Sequence, residues 1–89
     1  MIMIRQQFVR PKYALIVRPS SEYPWIVASS FPDLESCEKG RSMLEKLESA
    51  CVPINDPRVQ DYYRRVNEER RKYRLKPLRP DEPIVWPVE

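Results

Sequence analysis

Ten prolines and a single glycine decide how this 89-residue chain can be divided into elements. Proline fixes its own φ, lacks a backbone N–H and pushes the residue before it away from helical geometry, so each one marks an element's edge. Pro11, Pro19 and Pro24 bracket two apolar runs of strand formers, Tyr13–Val17 and Trp25–Ala28. Pro19-Ser20-Ser21-Glu22 supplies a turn between them, so an antiparallel hairpin is expected. Ile2–Val9 reads as a third strand, with Ile2, Ile4 and Phe8 on one side and Arg5 and Gln7 facing outward.

Two helices follow. Asp33, after Phe31-Pro32, is placed to cap the first, and Glu35 and Glu38 suit its positive dipole end. Leu34, Cys37, Gly40, Leu44, Leu47 and Cys51 fall three or four residues apart and predict one helical stripe reaching Cys51, where Pro53 ends it. A glycine inside that stripe points to a close approach to the sheet. Glu35–Lys39 and Arg41–Glu45 are spaced for pairing on the other face. Asp56-Pro57 is an N-cap and first-turn pair for a second helix, Pro57 to about Lys76, with Val59, Tyr62, Tyr63, Val66, Arg70 and Tyr73 on its inward stripe. Pro77, Pro80, Pro83 and Pro87 keep the remainder extended. The expected architecture is α+β: a small antiparallel β-hairpin or three-stranded sheet packed by two α-helices, in the order β-β-(β)-α-α. Residues 1–76 form a single domain in this reading, and 77–89 an extended Pro-rich C-terminal arm.

A chain of this length holds one modest core. Its 33% charged residues suit a wet surface, its 42% apolar residues suffice for folding, and no apolar run approaches the roughly 18 residues of a membrane span. Residues 1–10 lack the continuous apolar stretch of a secretion signal, so a cytoplasmic location without membrane contact is expected. On one helix, Cys37 and Cys51 would lie about 21 Å apart. A disulfide tolerates about 7 Å between Cα atoms, so the two are expected to be buried free thiols unless the helix breaks before Cys51.

Catalysis is not expected. There is no histidine to serve as base or metal ligand, one glycine cannot build a phosphate-cradling loop, and two distant thiols do not make a zinc site. Asp81-Glu82 are adjacent in an extended segment and point apart. No catalytic residue, metal or cofactor is assigned.

Surfaces remain. The second helix segment carries eight cations against Asp61, Glu68 and Glu69, a net of +5 where the whole chain has +3. Asp61–Arg65, Arg64–Glu68, Arg65–Glu69 and Glu68–Lys72 are spaced to answer part of it. The end of the segment keeps its excess. Trp25–Phe31, followed by Cys37 in a capped helix, is similar to a loose pattern common in short bacterial and phage reading frames. That pattern carries no activity and implies only a bacterial or phage source; it is in kind, not in motif, that a small compact chain without active-site residues is similar to phage-encoded inhibitors or adaptors. The expected function is therefore a non-enzymatic protein-binding module that occludes a partner macromolecule, with Arg70, Arg71, Arg74, Lys76, Ile84 and Trp86 as contact residues. The acidic first helix (Glu35, Glu38, Glu45, Glu48) is a rival surface. The alternatives are nucleic-acid binding through Arg64, Arg65, Arg71, Lys72, Arg74 and Lys76 with interleaved tyrosines, and a homodimer made through the C-terminal arm.

Overall fold

The computed structural model describes residues 5–88 and is α+β, with five strands in two antiparallel sheets and two helices. The order is β1 (Arg5–Val9), β2 (Tyr13–Arg18), β3 (Ile26–Phe31), α1 (Leu34–Arg41), β4 (Glu48–Pro53), α2 (Pro57–Lys72) and β5 (Ile84–Val88). The first sheet has the order β3-β2-β4; the second is the pair β1-β5.

The hairpin β2–β3 forms across the Pro19–Pro24 turn. Its strand β2 is central and buried on both sides. Ala14 and Ile16 face α2, packing with Val52 and Val59, while Leu15 and Val17 face α1 and pack with Cys37. The sheet is thus a layer between two helices, with a small apolar cluster on each face. A bulge in β3 serves both clusters. Leu15 stands opposite Ser29 but Ile16 opposite Val27, so Ala28 is an extra residue. Val27 and Phe31, four apart, would share a face in a regular strand. With the bulge, Val27 packs on the α2 cluster and Phe31 on the α1 cluster.

Four expectations are overturned. The single helix to Cys51 is the short helix α1 followed by a strand, so the third strand of the sheet is β4 and not the N-terminal segment. α1 ends at Arg41, where Ser42 caps it by donating its N–H to Glu38 and its Oγ–H to the Lys39 carbonyl. The chain then returns along β2, with Ala50 facing α2, Cys51 facing α1 and Val52 facing α2 again. That return brings the cysteine Cα atoms to 6.0 Å, and Cys37 and Cys51 form a disulfide instead of two free thiols. Closing a loop of this size restricts the unfolded chain by about 3 kcal/mol. The Pro-rich C-terminal arm, expected as an extended segment outside the sheet, is partly a sheet strand. It carries β5, which pairs with β1 from Arg5↔Val88 to Val9↔Ile84. Phe8 opposes Val85 on the solvent side of this ribbon and is 77% exposed, the reverse of the expected facing. Ile2 and Ile4 lie outside the described residues.

The ribbon is tied to the body at several points. Trp86 meets the Phe31 ring edge-on at 5.8 Å between centroids. The Asn67 amide donates to the Leu78 carbonyl and accepts from the Leu78 N–H, at 2.9 and 2.7 Å, replacing both backbone partners of that residue. Asp81 lies 3.7 Å from Arg10. Gly40 does come close to the sheet: a Cβ there would stand 2.9 Å from the Phe31 ring, which is already held between α1 and Trp86.

Candidate interaction surface

Asp56 caps α2 by accepting from the Arg58 N–H at 2.8 Å, with Pro57 at its first position. From there the cations divide into two groups along the helix. Those of the N-terminal half are engaged. Arg58 forks onto Asp56 and stands 5.3 Å over the Trp25 ring, while Arg18, forked onto Glu48 at 2.7 and 2.9 Å, stands 4.5 Å over the same ring. Arg64 and Arg65 share Asp61, and Arg65 also donates to the Trp25 carbonyl at 3.0 Å. Arg58 and Arg65 thus fasten α2 to the hairpin through Trp25, with Arg18 of β2 over the same ring.

The C-terminal half differs. Lys72 pairs with Glu69 at 3.3 Å, whereas Arg70, Arg71, Arg74 and Lys76 make no ion pair among the described residues. Local hydrogen bonds fix where they stand. After α2 ends at Lys72, the Leu75 N–H donates to the Arg70 carbonyl and the Arg74 N–H to the Arg71 carbonyl, at 3.0 Å each, which is a Schellman turn. Arg70 Nε donates to the Lys76 carbonyl at 2.7 Å and closes the turn from outside. Arg74 occupies the left-handed position with φ 57°, among the described residues the only non-glycine with positive φ. Glycine is the usual residue there, and an arginine costs about 1–2 kcal/mol of backbone strain. Strain of this kind gathers where a side chain is needed for something other than stability. Tyr73 and Leu75, on either side of Arg74, are 70% and 51% exposed.

Of the expected contact residues, the structure gathers Arg70, Arg71, Arg74 and Lys76 in this one turn. Ile84 and Trp86 stand elsewhere, half-buried against the body, Ile84 in a shallow groove with Tyr63 and Pro83 and Trp86 on Phe31. From the set considered for nucleic acid, Arg71, Arg74 and Lys76 make no ion pair among the described residues, while Arg64, Arg65 and Lys72 are taken up in ion pairs. Tyr62 and Tyr63 are half-buried and meet edge-on. Tyr73, expected on the inward stripe, is the helix C-cap and faces solvent. The acidic residues form no common face: Glu35 and Glu38 pair with Lys39 and Arg41 on α1, Glu45 lies in the following loop, and Glu48 pairs with Arg18 on β4.

Among the described residues, no group of three or more His, Cys, Asp or Glu side chains is close enough to hold a metal ion, and no helix is long and apolar enough to cross a membrane. No protein-family model matches the chain, and no curated protein or solved structure matches it either.

Replacing Arg74 by glycine removes the left-handed strain at some cost in unfolded-chain entropy, so Arg74→Gly should raise stability by about 0.5–1 kcal/mol in urea denaturation. Hydrogen bonds hold four carboxyls below their usual range: Glu48 by Arg18, Asp56 by Arg58, Asp33 by the Ser36 N–H and Asp81 by Arg79. The unfolded chain therefore takes up protons at higher pH than the folded one, so these contributions are complete above the ordinary carboxylate range. They are lost as pH falls through it toward the folded values. With no histidine, the urea midpoint should be flat between about pH 5.5 and 7 and fall below about pH 4.5.

Proposed function

We propose that this chain is a non-catalytic binding module, an inhibitor or adaptor of bacterial or phage type, which seats the C-terminal turn of α2 on an acidic face of a protein partner. One observation carries the reading: Arg71, Arg74 and Lys76 make no ion pair among the described residues and stand around the exposed Tyr73 and Leu75 in a hydrogen-bonded turn. Arginine and tyrosine supply the anchors that dominate protein interfaces, and the fixed turn limits the entropy lost on docking. The unpaired cations steer encounter with an acidic surface. Arg70 acts from within the turn, holding its geometry. Ile84 and Trp86 are assigned to seating the ribbon, because their packing faces the body. The proposed site of action is the cytosol.

The exposed Tyr73 ring between cations favours a second reading, a single-stranded nucleic acid whose phosphates meet Arg71, Arg74 and Lys76 while a base stacks on the tyrosine. Leu75 weighs toward a protein, since an exposed aliphatic side chain matches an apolar spot on a partner and has no role in phosphate or base contact. Affinity capture from bacterial extract separates the two. A protein retained by the wild-type chain after nuclease treatment, and lost with Arg71→Glu/Arg74→Glu/Lys76→Glu, supports the proposal. Capture abolished by nuclease transfers the site to nucleic acid. Capture indifferent to the substitutions refutes both.

A further inference from the structure

We propose that the Cys37–Cys51 disulfide is a redox latch: its reduction frees α1 and loosens the β1–β5 ribbon while leaving α2 seated on the sheet. The disulfide lies wholly within one of the two apolar clusters. On the α1 side the buried residues are Leu15, Val17 and Cys37, ringed by the half-buried Tyr13, Phe31, Leu44 and Cys51. α1 is only eight residues long, too short to persist without tertiary support, and the disulfide is its covalent tie to β4. The cluster facing α2, with Ala14, Ile16, Val52 and Val59 buried, contains neither cysteine. Opening the bond therefore acts on one face of the sheet.

Phe31 carries the effect further. Its ring is close enough to Gly40 that a Cβ would stand 2.9 Å away, and it also meets Trp86 of β5 edge-on. Contacts run without a gap from the disulfide through α1 and Phe31 to the ribbon. A ring held from both sides loses its seat when α1 leaves, and Trp86 loses its partner.

The exchange requires a dithiol reductant. Its thiolate attacks Sγ of the half-buried Cys51, which breaks the S–S bond and releases Cys37 as the thiolate. The reductant's second thiolate then displaces Cys51 and closes its own disulfide. Two electrons pass to the protein, and each cysteine takes one of the two protons given up by the dithiol.

Hydrogen–deuterium exchange of the full wild-type chain, oxidised and then reduced with dithiothreitol, tests the latch. A Trp25→Phe variant adds a fluorescence readout, because Trp86 is then the only tryptophan. The expected result is a melting midpoint lowered by about 10–20 °C, faster exchange over 34–41 and 84–88, and retained protection over 57–72. Trp86 emission should shift to the red on reduction. Loss of protection along 57–72 in step with the rest would show a bond that merely stabilises the whole fold, and would overturn the proposal. So would unchanged exchange over 84–88 with unchanged Trp86 emission, or two alkylatable thiols in the air-oxidised chain.

Discussion

Reversing three charges at the end of α2, as Arg71→Glu/Arg74→Glu/Lys76→Glu, is expected to weaken the protein's hold on its partner by at least about 100-fold. The melting temperature should stay within a few degrees. Both halves follow from the division of cations along the helix. Arg58 and Arg65 are engaged with Asp56, Asp61 and Trp25, so changing them would loosen α2 and confuse lost binding with lost folding. The three reversed residues make no ion pair among the described residues and are exposed, so the fold gives up little with them. At an interface the same groups meet carboxylates in charge-assisted hydrogen bonds, each contributing about 1.5–3 kcal/mol, and reversal adds repulsion. A loss of about 3 kcal/mol already amounts to 100-fold. Isothermal titration against the captured partner at two salt concentrations measures it, and the wild-type affinity should fall as salt rises while the variant's changes little.

The second large effect is on the core. Ile16→Ala should destabilise the chain by about 2–5 kcal/mol, a large share of what a domain of this size possesses. Ile16 is fully buried at the middle of the central strand, flanked by Val27 and Ala50 and covered by Val59 from α2. Neighbours fixed in a sheet collapse poorly into the space left behind, which places the site toward the costly end. Met43→Ala, at 82% exposure, serves as the control and should stay within about 0.5 kcal/mol. Urea midpoints for the two variants check both values.

Local chemistry was legible in the chain, and pairing across distance was not. The hairpin and both helix starts follow from proline positions and from Asp33 and Asp56, whose capping bonds form as their types dictate. β4 was hidden because its middle packs toward a helix on each side: Ala50 and Val52 toward α2 and Cys51 toward α1 read as a short apolar run without alternation, and Leu44, Leu47 and Cys51 happen to keep helical spacing. That misreading also hid the disulfide, since sequence alone gives no sign that the chain turns back after Arg41. The pairing of β1 with β5 joins opposite ends of the sequence, and nothing local encodes it.

The surface followed the same pattern. An excess of cations over residues 70–76 was visible by counting, and the structure keeps Arg70, Arg71, Arg74 and Lys76 together without ion pairs among the described residues. Helical spacing places Tyr73 on the inward stripe, but the helix ends one residue before it. α2 stops at Lys72, and the left-handed Arg74 turns the chain so that Tyr73 and Leu75 face solvent. No local signal marked the stop: no glycine stands at the left-handed position, which Arg74 takes, and α1 ends at Ser42 with ordinary helical geometry.

Amide exchange on the complex between this chain and its captured protein is the most direct test that the turn after α2 is the working surface. Slower exchange over 70–76 on binding, with 34–41 unchanged, is the predicted result. Residues 70–76 exchanging at the free rate, while protection appears on another part of the surface, would contradict it.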